Sequence, residues 1–404
     1  MRGVTLVLVV AGVAGATPLT LSQALERAAS SAPEVQVAAR VLDEAEATRV
    51  GAGIFLPSNP RLFVDYRRLA FSPPMDPLNG YNLGVDGTLE VSGAGFARVE
   101  EADRRVSLAQ SELVLAQTFA RVRAWVAYVE AQAAAERLRI LEGALATAQR
   151  VESASRERQK NGVAGEPDVA AAALEVASVR AELEESRRLQ EAARANLRQV
   201  LDLSADEPIE VEPTFREPLD VGSEDELVTR AVDRRPELAS VKARLSLLET
   251  IDSRLFREGL PRLSYNLGFD AAPASPVFGY AGLGLELPVQ RNQTLRAVAQ
   301  AQRETERVRL ETELRRVRRD VAATRRSYLS RLSQLGTLTK DAVPAAERNE
   351  QLVEEGWKAG RFDIFRLTAA TRELNRTRRE RLETLLAAWT DFVELQRASG
   401  GLTP

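Results

Sequence analysis

The sequence contains one long pattern twice, and this duplication limits the possible folds more than any other feature. The segment 32–35 reads APEV and recurs at 235–238 as RPEL. The segments 165–169 and 360–364 match in the same way, each with glycine first and aspartate fourth. A repeat of about 200 residues in a 404-residue chain indicates the duplication of one large unit, not a solenoid of small repeats.

The first residues predict an export signal. An apolar run follows Met1 and Arg2, and the segment 14–16 (AGA) supplies the small residues of a signal-peptidase site. A membrane anchor or a buried strand is the alternative interpretation of 1–16. After residue 16 no run approaches the ~20 apolar residues that a spanning helix needs, so we expect an exported chain without transmembrane helices.

In each copy the periodicity predicts the same order of elements: a helix, two strands, a very long helix and a return helix that runs back along it. We assign the signal peptide to 1–16, the first repeat to 17–205, a proline-containing linker to 206–222, the second repeat to 223–400 and a C-terminal tail to 401–404. The predicted helices are 21–55, 98–160, 168–201, 223–257, 295–356 and 362–399.

The long helices carry a narrow apolar stripe. In 98–160, alanine and leucine recur every seven residues, with a second set four positions later. This heptad pattern predicts close helix packing, and the helix would extend roughly 90 Å. Pro344 lies inside the second long helix and is expected to kink or break it.

Four short segments alternate between apolar and small or polar residues, as strands do. They are 61–70, 80–91, 262–271 and 279–290. Each approaches the ~9–11 residues that span a bilayer as a tilted strand. A water-soluble sheet with one buried face is the alternative, but glycine, asparagine, serine and aspartate on the second face suit a wet lumen. Four strands cannot close a barrel, so transmembrane strands would require several chains.

The composition excludes many chemistries. The chain has no cysteine and no histidine, which rules out thiolate and imidazole metal sites and catalysis by these groups. Basic and acidic residues nearly cancel, 55 against 58, which argues against nucleic acid as a partner. A hydrolase that uses paired carboxylates stays an alternative, but the carboxylates are spaced as on helix surfaces. We expect neither an enzyme nor a cofactor.

These features together resemble the TolC-type outer-membrane factor family. The resemblance is carried by 19–25 (LTLSQAL), 56–60 (LPSNP), 168–169 (DV), 360–364 (GRFDI) and 394–400 (ELQRASG). Residues 59–62 (NPRL) look like the heavy-metal efflux branch, served by RND pumps.

The resemblance implies a mainly α-helical fold with a transmembrane β-barrel portion. Three chains of a homotrimer would supply four strands each to a 12-stranded barrel in outer-membrane lipid, continued by a periplasmic α-helical barrel. The family acts as a passive exit duct for an inner-membrane RND or ABC pump, to which a periplasmic adaptor connects it. Many relatives carry a lipid on an N-terminal cysteine, which this chain lacks.

The family's periplasmic tip corresponds to the turns between long and return helices. By resemblance, the gate residues are Asp168, Trp357, Arg361 and Asp363. The adaptor-contacting residues would be Gly162, Val163, Ala164, Gly165, Ala359 and Gly360. Asp168 and Asp363 also begin return helices, and helix capping explains them equally well.

Two other functions compete with an efflux duct. A type I protein-secretion duct has the same architecture, and the sequence does not exclude it. A soluble periplasmic coiled-coil adaptor belongs to a different class, but its β-rich lipoyl-like module is not evident in the sequence.

Overall fold

The structure is a computed structural model that describes residues 19–54, 58–69, 78–212, 215, 221–272, 275–289 and 292–402. The predicted signal peptide at 1–16 and much of the predicted linker lie outside the described residues. So do residues 56–57 of the LPSNP segment and the last two residues of the tail.

Helices and strands follow the duplicated order. The helices are α1 (Leu21–Ser31), α2 (Pro33–Ala52), α3 (Ala94–Lys160), α4 (Glu166–Val200), α5 (Glu224–Arg234), α6 (Pro236–Glu258), α7 (Gln293–Thr337), α8 (Val343–Lys358) and α9 (Ile364–Ala398). The strands are β1 (Arg61–Leu69), β2 (Leu78–Leu89), β3 (Arg262–Ala272) and β4 (Ser275–Glu286).

The prediction of one continuous helix at the start of each repeat was wrong. Ala32 separates α1 from α2 and Arg235 separates α5 from α6, and each precedes a proline. Both have extended backbones, with ψ of 136° at Ala32 and 119° at Arg235. A proline ring clashes with a helical residue before it, so the helix ends there and a new one starts at the proline.

Pro344 acts differently, because the helix widens instead of breaking. Between α7 and α8 the segment Leu338–Ala342 forms a π-helical turn, in which the Val343 N–H donates to the Leu338 carbonyl. Pro344 then occupies the second position of α8. A helix that skips one hydrogen bond in this way can accommodate a residue that has no N–H.

Residues 37–115 and 236–316 form one compact unit, here called the sheet unit. Its four strands are antiparallel in the order β1-β2-β3-β4, and β2 pairs with β3 to connect the two repeats. One face is apolar and exposed to solvent in the isolated chain: Leu62, Val64, Tyr66, Tyr81, Leu83, Leu267, Phe269, Leu283 and Leu285. The sheet therefore does not bury its apolar face against its own chain.

The described residues of 19–36, 116–235 and 317–402 form the second compact unit, here called the hairpin unit. Its part of α3 buries Ala120, Ala124, Ala127 and Ala131 at the predicted alternating spacing. Such small residues allow neighbouring helices to approach closely. Among the described residues, no helix combines the length and the apolar character that crossing a membrane requires.

Candidate functional site: the helix-hairpin turns and the sheet faces

Two hairpins of the hairpin unit carry the predicted site residues. The first hairpin is α3 and α4 with the turn 161–165, and the second hairpin is α8 and α9 with the turn 359–363. Gly162 and Gly360 have φ of +73° and +74°, in the left-handed region that favours glycine. Each glycine lets the chain reverse directly after a long helix, which the sequence spacing predicted.

In the first turn, hydrogen bonds of a helix C-terminus close the reversal. The Val163 N–H donates to the Arg158 carbonyl, and the Gly162 N–H donates to the Gln159 carbonyl, both at 2.9 Å. Gly165 is the N-cap of α4, and its N–H donates to Asp168 Oδ2 at 2.9 Å. Asp168 therefore supports the start of α4, as the capping interpretation proposed.

The second turn repeats this backbone pattern. The Arg361 N–H donates to the Gly356 carbonyl at 2.8 Å, and the Gly360 N–H donates to the Trp357 carbonyl at 3.0 Å. Asp363 is the N-cap of α9, and its Oδ1 accepts the Arg366 N–H at 2.8 Å. A carboxylate at this position compensates a helix N-terminus in charge and in hydrogen bonding.

Trp357 belongs to a buried core cluster of the hairpin unit. Its side chain is 7% exposed and packs with residues of α8 and α9 and of the first hairpin. The members of this cluster are Val353, Trp357, Ile364, Leu367 and Ala370, with Val151, Ala154, Ala171 and Phe362 against them. The ring of Phe362 lies so close to Gly356 that a Cβ there would meet it at 2.3 Å.

Arg158 is a residue of this site that the sequence interpretation missed. Its Nη1 donates to the Trp357 carbonyl at 2.6 Å, and its guanidinium lies 5.1 Å from the centroid of the Trp357 ring. A cation that binds a last-turn carbonyl compensates the negative end of α8. No local sequence signal marks Arg158, because its partner lies 199 positions away.

The structure brings some predicted site residues together and leaves others apart. Arg361 is exposed, and the described residues contain no ion pair that joins it to Asp168 or to Asp363. The gate role of these residues stays a prediction. The predicted adaptor-contacting residues are exposed at Gly162, Val163, Gly165, Ala359 and Gly360, and Ala164 is half-buried.

Charges between the return helices are arranged as ion pairs. Glu175 of α4 is buried and pairs with Arg372 of α9 at 2.5 Å, and Glu182 pairs with Arg379 one heptad further. On α8, burial and the neighbouring carboxylate of Glu354 raise the pKa of Glu350. Within the described ranges, no group of three acidic side chains could hold a metal ion.

The second face of the sheet is polar. Arg61 pairs with Asp86 at 3.0 Å and Arg67 with Asp270 at 2.7 Å, so charges of both signs neutralise one another across strands. The strands also contain glycines that lie under aromatic rings. Gly84 lies under Phe63, and a Cβ there would come within 2.5 Å of the ring. The sheet thus has one face suited to lipid and one suited to water.

This sheet and the duplicated helix order together are the fold of the TolC-type outer-membrane channels. The structure of the outer-membrane channel OprN superposes with a TM-score of 0.76 at 20% identity, covering 94% of this chain and 90% of that one. The open state of the Neisseria gonorrhoeae MtrE outer-membrane channel gives 0.76 at 18% identity, covering 95% and 89%. The resemblance stated from the sequence is confirmed at the level of the fold.

Sequence comparison adds a particular relative. The cobalt-zinc-cadmium resistance protein CzcC of Cupriavidus metallidurans is 24% identical over 389 residues, which is 95% of this chain and 91% of that protein. No family model matches the sequence.

Proposed function

We propose that the protein is the outer-membrane exit duct of a tripartite efflux system. The observation that carries this proposal is the sheet, which exposes its apolar face and directs its charged pairs to the other side. A soluble protein rarely leaves so large an apolar patch uncovered, whereas lipid would cover it at no cost. The full-length similarity to outer-membrane channels supports the same interpretation.

The sheet requires partner chains to complete it. β1 and β4 end the four-stranded order, and a bilayer does not tolerate unpaired strand edges. In a homotrimer with 12 strands, β1 of each chain pairs with β4 of a neighbouring chain, so that no strand edge is left unpaired. The polar faces would then line a water-filled lumen, through which substrate passes without a catalytic step.

The hairpin turns would form the periplasmic tip. The predicted gate residues Asp168, Trp357, Arg361 and Asp363 lie at or beside these turns. The exposed glycines of both turns leave backbone accessible to a periplasmic adaptor, which would connect the duct to an inner-membrane pump. Arg361 is available to a carboxylate of a neighbouring chain at the tip.

We further propose metal cations as the cargo, exported by an RND-type pump. The relative that supports this is named for resistance to cobalt, zinc and cadmium. The absence of cysteine and histidine agrees with a duct that lets such ions pass, because thiolate and imidazole groups would retain them. A type I protein-secretion duct remains the second candidate within the same architecture.

Fractionation and conductance test the duct. The full-length protein should appear in detergent-extracted outer membranes as a trimer and should form channels in planar bilayers. Recovery as a soluble periplasmic monomer would contradict the proposal and would favour the adaptor-like alternative. For the cargo, a host that lacks its own metal-efflux duct should regain zinc and cobalt tolerance only when the matching adaptor and pump are present.

A further inference from the structure

We infer that Arg158 positions the second hairpin against α3 and thereby holds the tip in its resting arrangement. This inference deepens the proposed duct, because it rests on the tip being the moving part. The described residues contain no ion pair between Arg361 and Asp168 or Asp363, and the connection inferred here is a guanidinium that binds a helix-end carbonyl and the ring of the same residue.

The first argument is geometric. Arg158 lies in the last turn of α3, and Trp357 lies in the last turn of α8, so their link joins the ends of two helices. The 2.6 Å hydrogen bond to the Trp357 carbonyl and the 5.1 Å distance to its ring act on the same residue. A single side chain therefore holds both the backbone and the side chain of Trp357.

The second argument concerns the strength of the link. The Trp357 carbonyl also accepts the Gly360 N–H of the second turn. Arg158 therefore donates to a carbonyl that takes part in the hydrogen bonding of this turn. Arg158 is half-buried, and Trp357 is buried in the cluster with Val353 and Ile364. Charged hydrogen bonds and cation–π contacts are stronger in such partly dry surroundings than on an open surface.

The third argument comes from the duplication. In the turns the two repeats correspond at the spacing that relates Gly162 to Gly360, the two glycines of positive φ, which places Gly356 opposite Arg158 and Gln159 opposite Trp357. The equivalent pair therefore has neither a cation nor an aromatic ring. The first hairpin supplies the cation and the second hairpin supplies the carbonyl and the ring, and the reverse arrangement does not occur at the equivalent positions. Loss of the link should therefore release the second hairpin selectively.

Channel recordings on full-length protein test the inference with three variants. R158M removes the charge and the donor at similar length, and R158K keeps a charged donor. The matched control is R156M, because Arg156 is exposed and pairs within its own helix with Glu152 at 2.6 Å. We expect R158M to raise the open fraction by roughly tenfold, the equivalent of one charged hydrogen bond. R158K should lie near the wild type, and R156M should equal it.

Hydrogen exchange provides a readout that does not require conductance. In R158M the amides of Gly360 and Arg361 should exchange faster than in the wild type, while those of Gly162 and Val163 should not change. Unchanged exchange at the second turn, or an equal rise of the open fraction in R156M, would overturn the inference. If wild-type protein forms no channels at all, the proposed duct fails, and the exchange data still decide whether Arg158 holds the turn.

Discussion

The two hairpins have the same backbone and different interiors. Both turns reverse at a glycine of positive φ, and each return helix has an aspartate at its N-cap or in its first turn whose carboxylate accepts a backbone N–H. Trp357, in the last helical turn before the second reversal, is 7% exposed, whereas Val163 in the first turn is 65% exposed. Duplication thus kept the turn geometry, but only the second turn is anchored by a large buried side chain.

This difference separates two tasks that one kind of turn could perform. A turn fixed by a core resists local opening, and a turn that exposes its apolar residue is available to a partner. We therefore expect the second hairpin to set the state of the tip and the first to provide contact surface. Each prediction below tests one part of this distinction.

The largest effect is expected from the anchor itself. Trp357→Ala removes a buried aromatic side chain and should lower the stability of the second hairpin by about 3–5 kcal/mol. Val163→Ala shortens the exposed apolar side chain of the first turn and should cost no more than about 0.5 kcal/mol. Hydrogen exchange of the turn amides measures both changes in local opening. Similar losses in the two variants would show that burial does not distinguish the turns.

Glycine-to-alanine changes should have opposite signs in the two hairpins. Gly356→Ala places a Cβ against the Phe362 ring, and such overpacking should cost about 1–3 kcal/mol. Gly143→Ala on α3 meets nothing within 4 Å, so the better helix propensity should stabilise by about 0.5–1 kcal/mol. Thermal unfolding of the purified protein measures each change. Combining Gly356→Ala with Phe362→Ala should recover part of the loss, and no recovery would assign the strain to another contact.

The two aspartates should differ by a smaller amount. Asp363 is an N-cap whose carboxylate binds an N–H inside α9, so Asp363→Ala should cost about 1 kcal/mol. Asp168 lies at the third helical position and binds only the Gly165 N–H, so Asp168→Ala should cost roughly half as much. Asparagine at either position, which keeps an acceptor, should restore most of the stability. A larger loss at Asp168 would indicate an additional partner, such as a gate contact.

The smallest effect should appear in the pH dependence. Burial and Glu354 raise the pKa of Glu350 above 4.5, so ionisation of this carboxylate is less favourable in the folded hairpin than in the unfolded chain. Its contribution to stability is therefore greatest below pH 4.5 and falls as the pH rises through the folded pKa. In the first hairpin the equivalent position is Glu152, whose carboxylate pairs with Arg156 at 2.6 Å. Glu350→Gln should flatten this decline in the second hairpin, measured by hydrogen exchange between pH 4 and 7, and should leave the first hairpin unchanged.

The sequence predicted those parts of the molecule that depend on local patterns. The duplication, the order of elements and the strand alternation were all readable from the sequence pattern. The helix breaks before Pro33 and Pro236 carried a local signal as well, which the helical periodicity on both sides obscured. These errors concern the ends of helices. There the helix propensity of the neighbouring residues competes with the restriction that a proline places on the residue before it.

The site was less predictable, because its contacts join distant segments. Trp357 was predicted as a gate residue, and its packing with α9 and with the first hairpin had no local signal in the sequence. In the sequence Arg158 is indistinguishable from the many surface arginines of the long helices. Only its contact with the end of α8 in the folded chain identifies it. The glycines under Phe63 and Tyr280 likewise acquire their role only from strand register.

The pairing of β2 with β3 has a consequence for how the chain reaches its final state. Tyr81 lies opposite Ala271, so about 190 residues separate partners in adjacent strands, whereas β1–β2 and β3–β4 are joined by short connections. Closing so long a loop costs more entropy than closing a hairpin, and such distant pairings form slowly. The two ribbons should therefore arise early and independently, and the seam between them should be among the last contacts made during maturation.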